Sequence, residues 1–154
     1  MPHNTLDLEH FLPYRLSVLS NTVSQAIARE YAQRFQLSVT EWRVIAVLGR
    51  YDGSSAREVA EKTATDKVAI SRAVASLMQA GRVRRSVAAH DKRQSVLRLT
   101  AKGWKIYDEV APRALEHERR LLAHLDAQER EWLERILDKL WKAELEVEGE
   151  SSMP

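Results

Sequence analysis

Side chains able to bind a polyanion recur at helical spacing near the middle of the chain. The segment from Asp66 to Gly81 begins with a good N-cap residue and ends with a glycine that suits a helix end. Apolar side chains form its inward face: Ile70, Val74, Leu77 and Met78. Small or hydrogen-bonding side chains and one arginine form the opposite face: Val68, Ala69, Arg72, Ala75, Ser76 and Gln79. This pattern favours a helix that lies in a nucleic-acid groove.

Basic residues are concentrated in the same part of the chain. Residues 55–105 carry a net charge of +8, whereas 1–54 are neutral, 106–154 carry −6, and the whole chain carries +2. A basic middle third between neutral and acidic ends is the footprint expected of a polyanion-binding element. A solvated charged surface is the alternative interpretation of the charge alone.

The motifs of common enzyme and metal sites are missing. The chain has no cysteine, which excludes disulfides, thiolate metal sites and cysteine nucleophiles. His117-Glu118 begins like a zinc-protease motif, but Leu121 stands where a second histidine is required. We therefore expect no enzyme, no metal and no cofactor. No apolar run approaches the ~18 residues of a membrane span, and the acidic N-terminus is unlike a signal peptide, so a cytoplasmic protein is the simplest interpretation.

The elements that must position the polar helix can be predicted from caps and periodicity. An apolar stripe predicts a first helix from Leu12 to near Phe35, with Pro13 in its first turn. Capping-box pairs at Ser38/Glu41 and Ser55/Glu58 open the second and third helices. The strand-like segments Val83–Val87 and Ser95–Leu99 predict a hairpin with a charged loop at residues 89–93.

Two further helices are expected after the hairpin. Thr100 caps a fifth helix, which Pro112 should kink or divide, and Asp126/Glu129 opens a sixth. The side chains that the sixth helix is expected to bury are Trp132, Leu133, Ile136, Leu137, Leu140 and Trp141. The predicted fold class is mainly α with a small β-hairpin wing, a winged helix-turn-helix with N- and C-terminal dimerisation helices. Thr63 and Ala64 depart from the leucine and turn glycine usual in a helix-turn-helix.

The chain resembles the multiple antibiotic resistance regulator (MarR) family of bacterial transcription factors from about Leu8 to Leu145. The segments that carry the resemblance are Leu37–Val44, Thr65–Val74, Leu77–Gly81, Asp91–Arg93 and Leu97–Gly103. The last two, an Asp-x-Arg wing followed by Leu-x-Leu-Thr-x-x-Gly, are its most specific part.

The resemblance implies a homodimer, in which the first, fifth and sixth helices of two subunits interlock. The expected divisions are 1–36 for the N-terminal dimerisation helix, 37–100 for the DNA-binding region, 101–145 for the C-terminal dimerisation helices and 146–154 for a frayed tail. Apolar stripes at both ends, with three of the four tryptophans beyond the wing, agree with burial against a second copy. An intramolecular antiparallel bundle is the alternative.

The fourth helix is expected to enter the major groove of a pseudo-palindromic operator. Arg72 is the candidate for guanine, Val68 and Ala69 for thymine methyls, and Arg93 of the wing for the minor groove. The remaining residues expected at DNA contact bases or phosphates or support the wing: Arg57, Lys67, Ser71, Ser76, Gln79, Asp91 and Lys92. Asp91 is expected to orient the Arg93 guanidinium, and a simple turn-stabilising pair is the alternative interpretation of these two residues.

A small-molecule inducer, such as an aromatic or phenolic acid or its acyl-CoA thioester, is a further implication of the resemblance. The residues expected to hold it offer aromatic walls and cations for a carboxylate: Phe11, Tyr14, Arg15, Ser38, Trp42 and Arg43. The function predicted is a repressor that such a ligand releases from DNA. The alternative is a winged-helix module for protein contacts or non-specific DNA binding.

Overall fold

The computed structural model describes residues 3–88 and 90–151, without the side chains of Asp91, Lys92 and Glu150. A single turn of 3₁₀ helix, Leu8–His10, precedes six α-helices and two strands. The helices are α1 Leu12–Phe35, α2 Val39–Arg50, α3 Ala56–Thr63, α4 Lys67–Gln79, α5 Ala101–Leu122 and α6 Ala127–Ser151. The strands β1 Val83–Ala88 and β2 Asp91–Leu99 form an antiparallel hairpin. The predicted fold class, a helical protein with a hairpin wing, is confirmed.

Local signals in the sequence set the starts of the helices. Both side-chain bonds of the capping box are present at Ser38/Glu41 and at Ser55/Glu58. The Asp126 backbone N–H donates to Glu129 at 2.8 Å, and the Glu129 N–H donates back to the Asp126 carboxylate at 2.8 Å. These reciprocal bonds satisfy backbone N–H groups that a helix leaves unpaired in its first turn, which is why the predicted starts are confirmed.

The hairpin differs from the prediction at its tip. Strand β2 begins at Asp91, so Asp91, Lys92 and Arg93 belong to the strand and the prediction that they lie in a loop is wrong. Val87 pairs with Ser95 but Ala88 pairs with Asp91, so the register shifts between the two pairs. The extra residues of β2 are accommodated by this irregularity of the ladder, which a pattern of alternating polarity does not reveal.

Three other expectations about helices have mixed outcomes. Pro112 lies inside α5 and does not divide it, while the kink named as the other possibility stays a prediction. Helix α6 continues to Ser151, whereas the tail was expected from Glu146. Met78 is 38% exposed, and Ala73 at 6% takes its place on the buried face of α4.

The chain divides into two compact units, one up to Ala114 and one from Leu115 onward. The first unit holds the hydrophobic core, in which α2, α3 and α4 contribute the largest share: Val44, Ile45, Leu48, Val59, Ile70, Val74 and Leu77, each at most 1% exposed. Because α4 rests on this core with one face, its other face is left to solvent. The four segments predicted from the sequence (1–36, 37–100, 101–145 and 146–154) are defined by expected roles in dimerisation and DNA binding. That division stays a prediction.

The apolar side chains of α6 in the second unit are open to solvent. Of the six side chains expected to be buried, Leu133 is partly buried. The other five are between 40% and 62% exposed: Trp132, Ile136, Leu137, Leu140 and Trp141. The expectation of burial is therefore wrong for a single chain. Within the described residues, no helix combines the length and apolar character that crossing a membrane requires.

Candidate nucleic-acid interface

Helices α3 and α4 form a helix-turn-helix whose turn depends on a left-handed residue. Ala64 ends α3 with φ +48° and ψ +42°, and its N–H donates to the carbonyl of Glu61 at 3.2 Å. Thr63, at the position where leucine is usual, turns its hydroxyl back to the Val59 carbonyl at 2.8 Å. Ala60 and Ile70 are both buried where the two helices meet, at 4% and 1% exposed. The two departures from the usual motif therefore leave the turn intact.

The N-terminus of α4 is capped by Asp66. Its carboxylate accepts hydrogen bonds from the backbone N–H groups of Val68 at 2.9 Å and Ala69 at 3.0 Å. This cap fixes where α4 begins and occupies two donors that a phosphate would otherwise find at a helix N-terminus. The side chains of α4 are thus the groups most available to a ligand on this helix.

The outer face of α4 is exposed along its length. The exposed side chains are Lys67, Val68, Ser71, Arg72, Ala75, Ser76 and Gln79, and Ala69 is partly buried. Within the part of the chain that the structure describes, neither Lys67 nor Arg72 has an ion-pair partner. Val68 leaves 56% of its surface in solvent, an apolar exposure that suits contact with a thymine methyl group.

Two residues predicted at this interface already have partners in the protein. Ser76 Oγ donates to Glu41 Oε2 at 3.2 Å, across 35 positions of sequence. Arg57 Nε donates to Glu61 Oε1 at 3.0 Å within α3, and both side chains are largely exposed. An exposed ion pair of this kind contributes ~0.3–0.5 kcal/mol, so a phosphate can displace Glu61 at small cost.

The C-terminus of α4 is held by residues at the start of α5. Thr100 Oγ1 donates to the Gly81 carbonyl at 2.7 Å, and Lys102 Nζ donates to the Ala80 carbonyl at 2.9 Å. The Arg82 guanidinium donates to the Phe35 carbonyl at the end of α1. These bonds satisfy carbonyls at or just beyond the ends of α4 and α1, and they tie the end of α4 to α1 and α5.

The wing is anchored to the loop between α2 and α3. Ser54 forms an antiparallel bridge with Leu97, in which the Leu97 N–H donates to the Ser54 carbonyl at 2.8 Å. Arg98 forms an ion pair with Asp52, at side-chain exposures of 38% and 53%. Arg84 lies opposite Arg98 on β1 and is exposed. Asp52 therefore offsets the repulsion between two cross-strand arginines.

The predicted wing contact falls partly outside the described residues. Arg93 is exposed on β2, whereas the side chains of Asp91 and Lys92 are not among those the structure describes. The interaction predicted between Asp91 and Arg93 stays a prediction.

The residues expected to bind an inducer separate into different places. Trp42 and Arg43 line a cavity of about 470 Å³ between α1, α2 and α3, whose other walls are Ser17, Ser20, Asn21, Ala46, Val47, Lys62 and Thr63. Tyr14 and Arg15 line a different, apolar groove of about 630 Å³ along α1. Ser38 uses its hydroxyl to cap α2, and Phe11 is exposed just before α1. The six residues therefore do not form one site in a single chain.

Trp42 belongs to a row of aromatic rings in the first unit. Its ring centroid lies 5.8 Å from that of Tyr31 and 6.2 Å from that of Tyr107, which in turn lies 5.4 Å from that of Trp104. The Tyr31 hydroxyl is buried and has no hydrogen-bond partner among the described residues. Burial raises the pKa of Tyr31 to about 12, and the positive charge of Arg43 offsets part of that rise. Trp42 thus connects the cavity to the core.

Sequence reasoning missed the residues that act through long-range contacts. Glu41 is predicted only as a capping residue but also bonds to α4, and Asp52 forms the ion pair with Arg98 of the wing. Lys102 and Arg82 hold the end of α4. No local spacing signals these contacts, since each joins residues from elements far apart in the chain.

Comparisons with known proteins agree with this geometry. The MarR family profile matches residues 35–94, from the end of α1 into β2. The HTH-type transcriptional regulator BilQ of Clostridium symbiosum is 32% identical over 98 residues, which are 64% of this chain and 68% of BilQ. A MarR/EmrR family transcriptional regulator from Acinetobacter sp. ADP1 superimposes with a TM-score of 0.81 at 27% identity, over 90% of this chain and 97% of the other.

A DNA complex of MepR from S. aureus shares the fold. It superimposes with a TM-score of 0.77 at 20% identity, over 88% of this chain and 97% of that one. The matched regions include the helix-turn-helix, and the relatives that share it are regulators rather than enzymes. The chain belongs to the MarR family of winged helix-turn-helix, DNA-binding transcriptional regulators.

Proposed function

We propose that this protein is a homodimeric, sequence-specific transcriptional repressor whose α4 reads the major groove of a pseudo-palindromic operator. The observation that carries the proposal is the two-sided character of α4. Its inner face is buried at Ile70, Val74 and Leu77, while its outer face presents Arg72 and other polar side chains to solvent. A helix anchored on a core and polar on its free face is the element that winged helix-turn-helix proteins insert into the major groove.

The side chains of α4 and the wing have separate roles in this proposal. Arg72 donates two hydrogen bonds to a guanine, Val68 contacts a thymine methyl, and Lys67 contacts the phosphate backbone. Arg93 on the wing enters the minor groove. Arg57 exchanges Glu61 for a phosphate, so its contribution to binding falls as salt concentration rises.

The dimer is inferred from apolar faces that a single chain leaves uncovered. In the first unit, α1 exposes 45–57% of each of Leu12, Leu16 and Leu19. In the second unit, α6 exposes 53% of Trp132 and 62% of Trp141. Apolar surfaces of this extent on a monomer mark association sites. Sedimentation should therefore give twice the chain mass of 17.6 kDa at micromolar concentration, and a 17.6 kDa species would refute the dimer.

Selection from random DNA tests the proposed function directly. The purified protein would be equilibrated with duplexes carrying about 30 random base pairs, and the bound fraction would be sequenced through several rounds. We expect one palindromic motif with half-site centres ~10 bp apart. Enrichment without a motif would instead identify a non-specific DNA binder, and no binding at low salt would favour a winged-helix module that contacts proteins.

Substitution of Arg72 tests the assignment of α4. Arg72→Ala should weaken binding to the selected site by about 1–3 kcal/mol and relax the preference at one base pair of each half-site. Arg29→Ala removes the same charge from an exposed position on α1 and serves as the matched control. Equal effects of the two substitutions would contradict the assignment.

The cavity between α1, α2 and α3 supports release by an aromatic acid or its acyl-CoA thioester. It combines the ring of Trp42 with two cations, Arg43 and Lys62, and with hydroxyl and amide groups on α1. An aromatic wall beside cations is suited to a ring that carries a carboxylate. Titration with phenolic acids and their CoA thioesters should quench Trp42 fluorescence and release the selected DNA. Arg43→Gln should weaken both effects in parallel.

A further inference from the structure

The side chain of Glu41 makes two contacts that lie on different helices. One carboxylate oxygen, Oε1, accepts a hydrogen bond from the Ser38 backbone N–H at 3.2 Å, which completes the capping box of α2. The other oxygen, Oε2, accepts the hydroxyl proton of Ser76 at 3.2 Å. Ser76 lies one helical turn after Arg72 on the outer face of α4. Glu41 therefore reaches the surface that faces DNA from the supporting helix.

A serine hydroxyl has one proton to donate and two lone pairs to accept with. Because the proton of Ser76 is directed to Glu41, the hydroxyl can offer DNA only its lone pairs. Phosphate oxygens, guanine N7 and guanine O6 are all acceptors, so none of them can bond to an acceptor-only hydroxyl. The groups it can pair with in the major groove are the amines of adenine N6 and cytosine N4.

We propose that Glu41 is a specificity-determining positioning residue, which fixes Ser76 as a hydrogen-bond acceptor for an adenine or cytosine amine in the major groove. The inference rests on the proposed entry of α4 into that groove. It also assigns Ser76 a narrower role than the contact with bases or phosphates expected from the sequence. Glu41 acts through Ser76 and does not itself contact DNA.

Three variants separate this role from a structural one. Ser76→Ala removes the acceptor but leaves the capping box of α2 untouched. Glu41→Gln keeps a carbonyl oxygen for the Ser38 N–H and turns its amide NH₂ toward Ser76, which reverses the hydrogen bond and frees the serine proton for DNA. Glu58→Gln is the matched control, since Glu58 makes the same capping box on α3 and has no described bond to α4.

The experiment repeats the random-duplex selection with each variant and compares base preferences position by position. The unmodified protein should prefer adenine or cytosine amines by about threefold to tenfold at one position per half-site. Ser76→Ala should abolish the preference at that position and leave the preferences at other positions unchanged. Glu41→Gln should shift the preference at that position toward bases that present acceptors. Glu58→Gln should leave every preference unchanged, and Glu41→Gln should have no further effect in a Ser76→Ala background.

The failure of this inference is distinguishable from the failure of the proposed function. If Arg72→Ala alters a base preference but Ser76→Ala and Glu41→Gln alter none, α4 reads DNA and the role of Glu41 is refuted. If Arg72→Ala alters none either, the assignment of α4 fails first. If Ser76→Ala weakens binding equally to all sequences and changes no base preference, Ser76 donates to a phosphate and the inference is overturned.

Discussion

Two residues with left-handed backbone conformations lie on either side of α4, an alanine before it and a glycine after it. Replacing the alanine by glycine should stabilise the protein, and replacing the glycine by alanine should destabilise it. Ala64 ends α3 at φ +48°, where an L-residue is strained, and Gly81 follows α4 at φ +72°. A Cβ on Gly81 would meet no atom within 4 Å, so the cost of Gly81→Ala is backbone strain alone. Ala64→Gly removes the same strain from the turn of the helix-turn-helix.

The magnitude follows from two opposing contributions. A left-handed conformation costs an L-residue about 1–2 kcal/mol. Glycine avoids this strain, but it also gives the unfolded chain more conformational freedom, which offsets ~0.4–1 kcal/mol of the gain. The free energy of unfolding should therefore rise by about 0.5–1 kcal/mol for Ala64→Gly and fall by the same amount for Gly81→Ala. For a chain of this length, these changes shift the Tm by about 2–4 °C per kcal/mol.

Thermal unfolding followed by circular dichroism, at one fixed protein concentration, measures both shifts. The concentration must be held because association raises the Tm by mass action. Ala32→Gly is the control, since Ala32 is exposed within α1 and glycine at a regular helical position costs about 1 kcal/mol. If Ala64→Gly lowers the Tm as Ala32→Gly does, the left-handed geometry is not what limits stability and the reasoning fails.

Three further substitutions test the helix cap, the packing and the buried hydroxyl of the first unit. Asp66→Ala should lower the free energy of unfolding by about 1 kcal/mol in urea titrations, since it removes the N-cap of α4, and no loss would mean that the cap is unimportant. Gly49→Ala should cost about 1–3 kcal/mol in the same assay, because its Cβ would lie 2.3 Å from Tyr107 Cε2. Gly149→Ala is the control, since its Cβ meets no atom within 4 Å and alanine favours the helix α6, so it should not lower the free energy of unfolding. Tyr31 has a pKa of about 12 when folded and the ordinary 10.0 when unfolded, so stability should fall as pH rises from 10.0 to 12, and Tyr31→Phe should remove that fall.

Helix boundaries could be predicted because their causes are local. Ser38, Ser55 and Asp66 each bond to backbone N–H groups two or three residues ahead, so the signal and its effect lie within one turn. Pro13 likewise sits in the first turn of α1, where its missing N–H costs nothing. Because no distant residue is needed to produce these features, they can be predicted from a short stretch of sequence.

Burial was harder to predict because it depends on which elements arrive at each face. Met78 is more apolar than Ala73, yet Ala73 is the residue that lies in the core that α4 shares with α2 and α3. The irregular register of β2 depends on how two strands pair and not on either strand's own pattern. Trp132 and Trp141 lie at the spacing of a buried helix face but are exposed in the single chain. In the proposed dimer, the second chain would bury them.

Helix α2 provides a physical route between the proposed ligand cavity and the recognition helix. Trp42 and Arg43 line the cavity, and the adjacent Glu41 bonds to Ser76 on α4. A ligand can change DNA affinity only by as much as its own affinity differs between the DNA-binding and released conformations. If α2 carries that difference, Ser76→Ala should reduce the factor by which ligand weakens DNA binding while leaving ligand affinity for the free protein unchanged. An unaltered factor would mean that the coupling passes instead through the anchors at the end of α4, where Arg82 and Lys102 join it to α1 and α5.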